Sequence, residues 1–153
     1  MGAAPAIEDA IALAATAHRG QGYPTAALHR EPFILHPLRV LLRLDTEAAR
    51  IVAVLHDLIE DTPYTLDDLR TLGYSDEILI AVDHLTRRDD ESYDDYIERI
   101  AEYPLARRVK LADLADNLEH NRGVDAPAEE HARVTRYERA RARLVAAGMA
   151  EPG

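Results

Sequence analysis

The sequence predicts an all-α fold, a helical bundle of about seven to eight helices. Apolar residues recur at helical spacing along most of the 153 residues, and most of these runs are bounded by residues that begin or end helices. No segment shows the alternating apolar and polar pattern of a half-buried strand over a useful length. A chain of this length fits one domain with a sizeable core, and we assign residues 1–150 to it.

The N-terminal third predicts two helices separated by a loop. Ala6 to His18 has helical apolar spacing and is followed by Gly20, a residue type that commonly ends helices. Gly22 to Leu35 contains a glycine and two prolines, which predicts a loop. Pro37 then opens a short helix, because proline is tolerated in the first helical turn.

The rest of the chain predicts six further helices. Asp45 and Thr46 cap the first of them, and Pro63 ends it. The next four begin at capping or first-turn residues, namely Thr65, Ser75, Ser92 and Pro104. The helix that Pro104 opens extends through Asn121, and an arginine-rich helix from about Glu129 to Ala147 is the last.

The stretch Ile51 to Thr62, IVAVLHDLIEDT, carries the strongest functional signal. It holds seven apolar residues and four ionisable ones: His56, Asp57, Glu60 and Asp61. Because residues four apart share one side of a helix, the two pairs converge on one edge. Imidazole beside carboxylate suits a divalent metal such as Mn, Fe or Zn, and the second carboxylate pair could handle protons of a bound water. The alternative is an amphipathic helix with a solvated acidic end.

Two further segments can supply the remaining ligands. His36 precedes Pro37 at a loop-to-helix junction, where a histidine can also be a surface or capping residue. Asp113 lies in VKLADLADN and shares a helix face with Lys110 and Asn117, which would also suit a salt-bridged surface. Together, two histidines and two aspartates from three helices could close one metal site with open positions.

Composition narrows the function classes. The absence of cysteine excludes disulfides, thiolate metal ligands and cysteine nucleophiles. The net charge of −10 argues against nucleic-acid binding as the main role. The N-terminus lacks the features of a signal peptide, and no apolar run is long enough for a membrane span. We therefore expect a cytoplasmic protein with no membrane or nucleic-acid partner.

The order HP, HDLIEDT and KLADLADN resembles the HD-domain phosphohydrolases. More narrowly, it resembles the hydrolase domain of RelA/SpoT-type enzymes and the small alarmone hydrolases, over about Ala14 to Tyr137. In that family one Mn²⁺ ion is held by the histidine of HP, the HD pair and the aspartate of LAD, here His36, His56, Asp57 and Asp113. The family's catalytic pair lies in the EDT segment and matches Glu60 and Asp61. Mn²⁺ is the expected cofactor, although another divalent cation would suit the same donors.

The resemblance also implies a set of residues that bind the nucleotide. The asparagine of LADxxxN and an Arg-x-x-x-Tyr of the final helix match Asn117, Arg133 and Tyr137. Lys110 shares the helix face of Asn117 and joins the expected substrate-binding set. The family carries an Arg-Lys pair before its HP segment, but here that region is GYPTAALHREPF. Arg30 is the candidate replacement, and a plain surface arginine is the alternative.

The resemblance implies metal-assisted hydrolysis of (p)ppGpp at its 3′-pyrophosphate, giving GDP or GTP and pyrophosphate. Since the Arg-Lys pair is absent, two other small-molecule activities stay open: hydrolysis of the NADPH 2′-phosphate or of a nucleoside monophosphate. A catalytically silent nucleotide-binding regulator is the alternative from another class, although all expected ligands and both catalytic carboxylates are present. A homo-oligomer is compatible with all of these.

Overall fold

The computed structural model describes residues 2–149 and confirms the all-α prediction. Within that range it contains nine helical segments and a two-stranded ribbon with two residues in each strand. Residues 1 and 150 of the predicted domain lie outside the described residues. None of the described helices is both long enough and apolar enough to cross a membrane.

The bounds of the elements follow the predicted order. They are α1 (Ile7–Ala17), β1 (Gly22–Tyr23), β2 (Glu31–Pro32), α2 (Leu35–Leu42), α3 (Glu47–Leu55), α4 (Leu58–Asp61), α5 (Leu66–Thr71), α6 (Asp76–Leu85), α7 (Tyr93–Ala101), α8 (Pro104–His120) and α9 (Pro127–Met149). Four predicted side-chain caps are present, each accepting a hydrogen bond from the backbone N–H three residues on: Thr46, Thr65, Ser75 and Ser92.

Helix α3 lies at the centre of the fold. The side chains from Val52 to Leu55 are fully buried, and α3 contacts α1, α2, α6 and α8. Helix α8 packs against α2 as well as α3 and buries Val109 and Leu114. The three helices that carry the predicted metal ligands therefore meet at one place in the core.

Two details differ from the predicted elements. The helix expected to run through the central stretch is interrupted at His56 and Asp57, which separate α3 from α4. Asp57 has φ −93° and ψ −1°, off the values of a regular helix. The loop after α1 contains the antiparallel ribbon, in which Gly22 pairs with Pro32 and Tyr23 with Glu31. A two-residue pairing is too short to produce an alternating sequence pattern.

Candidate metal centre

Three helices bring the four predicted ligands together. His36 lies in the first turn of α2, His56 and Asp57 lie between α3 and α4, and Asp113 lies in α8. One ligand atom from each of His36, His56 and Asp57 lies within 4.8 Å of the others. The Asp113 Oδ1 atom is 2.8 Å from His36 Nε2 and 3.3 Å from His56 Nε2.

The helix interruption explains how two neighbouring residues face one site. In a continuous helix, successive side chains diverge by about 100° around the axis. At the break, the His56 Nε2 and Asp57 Oδ2 atoms are instead 3.2 Å apart. Helix α4 resumes directly, since the N–H of Asp61 donates to the Asp57 carbonyl at 3.0 Å.

Both histidines are held by their Nδ1 atoms. His56 Nδ1 lies 2.5 Å from the Ala53 carbonyl, which can only accept, so Nδ1 carries the proton. His36 Nδ1 lies 2.7 Å from the Asp116 carboxylate and donates to it in the same way. Metal-binding histidines typically show this second contact to a carbonyl or carboxylate, because it fixes the tautomer and the ring orientation.

The remaining ring nitrogens fit a cation. His56 Nε2 is buried and has no hydrogen-bond partner among residues 2–149, although two carboxylate oxygens lie within 3.3 Å. Carboxylate oxygens this close to a ring nitrogen favour a positive charge at that point, either a proton on the nitrogen or a bound cation. Two imidazole nitrogens and two carboxylates form a donor set for a divalent ion such as Mn²⁺, Fe²⁺ or Zn²⁺. The structure thus contains a His/Asp site that suits a divalent metal.

The charges of the cluster also indicate that the site suits a cation. Burial alone would lower the pKa of His56, but the Asp57 and Asp113 carboxylates raise it to about 9. Burial would raise the pKa of Asp113, yet the Lys110 ammonium and the two histidines hold it well below its usual value. The carboxylates therefore favour positive charge at this point, which a proton or a metal ion can provide.

Lys110 is bound to the cluster itself. Its buried Nζ atom lies 2.9 Å from Asp113 Oδ2 and 5.2 Å from the centre of the Tyr96 ring. Because Lys110 occupies Oδ2, the other oxygen of Asp113 faces the histidines. This contact gives Lys110 a positioning role for Asp113 beside its predicted role toward the substrate.

Glu60 and Asp61 lie on α4, one turn beyond the ligands. Glu60 Oε1 accepts a hydrogen bond from the backbone N–H of Arg87 and lines a cavity of about 620 Å³. Partial burial, with Asp57 and Glu60 nearby, raises the pKa of Asp61 to about 6. Partial burial also raises the pKa of Glu60. Carboxyl groups with raised pKa values are suited to accepting and returning protons near neutral pH.

Asn117, another of the five predicted substrate contacts, is linked to the cluster through Tyr23. Its Oδ1 atom accepts a 2.7 Å hydrogen bond from the Tyr23 hydroxyl. The Tyr23 ring stacks on His36 with a centroid distance of 4.5 Å and an interplanar angle of 8°. Tyr137 is half-buried against the core, and the guanidinium carbon of Arg136 lies 5.4 Å from its ring centre.

Arg30 and Arg133 are engaged with the protein itself. Arg30 is exposed and donates to the Gly22 carbonyl at 2.9 Å. Arg133 forms an ion pair with Asp125 and donates to the Asn121 carbonyl. Their contacts to a substrate stay a prediction.

Asp116 supports the site and is absent from the predicted set. It is fully buried, and besides His36 it binds the Arg39 guanidinium, with Arg39 Nε 2.8 Å from Oδ1. A signal for it was present in the sequence, since LADLADN repeats LAD three residues on and thus places both aspartates on one helix face. Tyr23 and Arg39 gave no comparable signal.

Replacing Asp116 by asparagine is expected to weaken metal binding by about 10-fold to 100-fold, the usual effect of losing a group that orients a ligand. The amide keeps the shape but loses the charge that holds the His36 Nδ1 proton. Titration of the metal-free protein with Mn²⁺ measures the change. Glu119→Gln, an exposed substitution in the same helix, is the matched control. Equal Mn²⁺ affinities of the two variants would contradict the role of Asp116.

Comparison with known proteins places the chain in a family. No protein-family model matches it. It is 33% identical over 125 residues to a GTP pyrophosphokinase of Streptomyces coelicolor, covering 73% of this chain and 14% of the relative. It is 36% identical over 121 residues to a guanosine-3′,5′-bis(diphosphate) 3′-pyrophosphohydrolase of Haemophilus influenzae, covering 71% of this chain and 17% of the relative. The chain thus spans less than a fifth of the length of these curated relatives.

A solved structure shares the fold. It is described as a metazoan ortholog of SpoT that hydrolyzes ppGpp, and it matches with a TM-score of 0.75 and 22% identity. The match covers 94% of this chain and 88% of the other. From the relatives, the shared fold and the HP, HD and LAD residues assembled in one cluster, we conclude that the chain belongs to the RelA/SpoT-type family of HD hydrolase domains.

Proposed function

We propose that this chain hydrolyses the 3′-pyrophosphate of (p)ppGpp in a metal-dependent reaction, giving GDP or GTP and pyrophosphate. The observation that carries the proposal is the convergence of two imidazole Nε2 atoms with the Asp57 and Asp113 carboxylates, beside the Glu60 carboxyl. Relatives from Haemophilus influenzae and Aquifex aeolicus are named as guanosine-3′,5′-bis(diphosphate) 3′-pyrophosphohydrolases. The activity named there matches the chemistry that these side chains favour.

In this proposal, His36, His56, Asp57 and Asp113 hold one divalent ion, with Mn²⁺ as the resident metal. When bound, such an ion lowers the pKa of a water and offsets the charge on phosphoryl oxygens. The Nδ1 contacts to Ala53 and Asp116 keep both imidazoles directed at the same point. Lys110 fixes the Asp113 carboxylate from the opposite side.

Glu60 and Asp61 handle protons in the proposed reaction. The Arg87 N–H holds one oxygen of Glu60, which directs the other oxygen of its carboxylate for proton transfer. The raised pKa of Asp61, about 6, suits a group that returns a proton to the leaving oxygen. No covalent intermediate is required, so hydrolysis in a single displacement fits these residues.

Asn117 and Tyr137 are proposed to line the nucleotide site. Since Asn117 Oδ1 accepts from Tyr23, its amide group is oriented and can donate to a sugar or phosphate oxygen. Tyr137 supplies a ring that can pack on ribose or base. The acidic net charge makes such local donors more important for binding an anionic nucleotide.

A nucleotide panel tests the proposal. The Mn²⁺-loaded protein is incubated with ppGpp, NADPH and GMP, and products are separated by anion-exchange chromatography. We expect conversion of ppGpp to GDP and pyrophosphate, with NADPH and GMP unchanged. Consumption of NADPH or GMP while ppGpp is untouched would overturn the substrate assignment.

A further inference from the structure

The arginines of helix α9 differ in whether a carboxylate of the protein lies within ion-pair distance. Arg139 lies 3.9 Å from the Asp94 carboxylate, and Arg143 binds Glu98 at 2.6 Å. Arg136 has no carboxylate within ion-pair distance in the part of the chain that the structure describes. Arg136 therefore differs from Arg139 and Arg143, since no carboxylate among the described residues neutralises its charge.

Two tyrosine rings hold the Arg136 guanidinium instead. Its central carbon lies 5.0 Å from the centre of the Tyr93 ring and 5.4 Å from that of Tyr137. A guanidinium packed by its face against aromatic rings keeps its in-plane N–H donors free. Arg136 is exposed, so those donors are accessible. They form a fork that matches the geometry of phosphate oxygens.

The same region offers space and a further polar group. A cavity of about 370 Å³ borders Arg136 and is also lined by Ser92, Tyr93 and Thr135. The Tyr93 hydroxyl is buried and has no hydrogen-bond partner among the described residues. Buried hydroxyls are usually hydrogen-bonded, so this residue of the cavity lining has an unused hydrogen-bonding group.

A continuous chain of contacts connects Arg136 to the metal centre. The Tyr93 ring lies 5.9 Å from the Tyr96 ring, and the Lys110 ammonium lies 5.2 Å from the centre of Tyr96. Lys110 in turn binds the Asp113 carboxylate at 2.9 Å. These contacts connect Arg136 to a predicted metal ligand, and Arg136 also packs on the ring of Tyr137, which is proposed to line the nucleotide site.

We infer that Arg136, held between Tyr93 and Tyr137, binds the phosphate group of the nucleotide that is remote from the hydrolysed one. For (p)ppGpp this is the terminal phosphate at the 5′ position, and the inference therefore rests on the proposed function. Arg30 and Arg133, the arginines expected from the sequence to bind substrate, already hold the Gly22 carbonyl and the Asp125 carboxylate. Arg136 takes the role of the absent Arg-Lys pair.

GDP and GMP are suitable probes because they differ by that terminal phosphate alone. Their dissociation constants are measured calorimetrically with the Mn²⁺-loaded protein, for wild type, Arg136→Ala and Arg141→Ala. Arg141 is also exposed on α9 but does not line the cavity. Arg141→Ala therefore removes the same charge from the same helix as Arg136→Ala and leaves the cavity unchanged. Thermal unfolding checks that both variants are folded.

Wild type and Arg141→Ala are expected to bind GDP about 10-fold more tightly than GMP, as one charge-assisted phosphate contact gives. Arg136→Ala is expected to bind the two alike. The inference is overturned if Arg136→Ala keeps the wild-type preference, if wild type shows no preference, or if wild type binds neither probe.

Kinetics with ppGpp separates this inference from the proposed function. Arg136→Ala is expected to raise KM about 10-fold with little change in kcat, since a remote phosphate contact contributes uniform binding. Unchanged KM in an active enzyme would overturn the inference and leave the proposed function standing. If the wild type does not hydrolyse ppGpp but prefers GDP over GMP, and Arg136→Ala removes that preference, the proposed function is overturned. The assignment of Arg136 to phosphate binding then stands.

Discussion

Replacing Asp57 by alanine is expected to remove the metal ion and abolish hydrolysis of (p)ppGpp. Asp57 lies at the helix break, and its Oδ2 atom is 3.2 Å from His56 Nε2 and 3.9 Å from His36 Nε2. It provides one of two carboxylates that offset the charge of a divalent ion. Losing a ligand should weaken binding by more than the 10-fold to 100-fold that loss of an orienting group causes.

Elemental analysis after dialysis against Mn²⁺ measures this effect. Wild type should retain about one equivalent of metal and the variant almost none. Asp67→Ala is the matched control, because Asp67 is an exposed carboxylate on α5, away from the cluster. Asp57→Ala protein that is folded and retains the wild-type metal content would exclude Asp57 as a ligand.

Replacing Glu60 by glutamine is expected to leave metal content and nucleotide binding close to wild type while lowering kcat by roughly 10²–10⁴-fold. The amide oxygen can still accept the Arg87 N–H, so the side chain keeps its position. What is lost is the ability to take up a proton. Steady-state kinetics with ppGpp, combined with metal analysis, separates the two effects.

Glu102→Gln provides the control for this substitution, because Glu102 is exposed at the end of α7. It should retain wild-type kinetics. If Glu60→Gln loses metal but regains full turnover when metal is added back, Glu60 supports the metal site and does not transfer protons.

The fold was largely predictable because its signals are local. Capping residues such as Ser75 and Ser92 and first-turn prolines such as Pro104 act within one turn, and the structure shows helices starting at each. The break at His56 and Asp57 was not predictable in the same way. Both residues lie inside an apolar helical pattern that contains no glycine or proline before Pro63, so no local signal marks the interruption.

The convergence of His36, His56, Asp57 and Asp113 followed from the motif order, but the contacts around them did not. The bond between Asp116 and His36 joins residues 80 positions apart, and no local pattern encodes such a pairing. The same holds for Arg136, whose position between Tyr93 and Tyr137 depends on how α7 packs against α9. The match of Arg133 to the family's Arg-x-x-x-Tyr motif could not reveal that Asp125 already binds its guanidinium.

Hydrolysis of ppGpp in ¹⁸O-labelled water tests the central claim most directly, because it identifies the substrate and the bond broken together. Mass spectrometry of products from the Mn²⁺-loaded protein should show unlabelled GDP and pyrophosphate carrying one ¹⁸O atom. This labelling follows from attack on the phosphorus bonded to the ribose 3′ oxygen, and the reaction should stop when a chelator removes the metal. Intact ppGpp after incubation with metal-replete protein, or ¹⁸O in the GDP, would contradict the account.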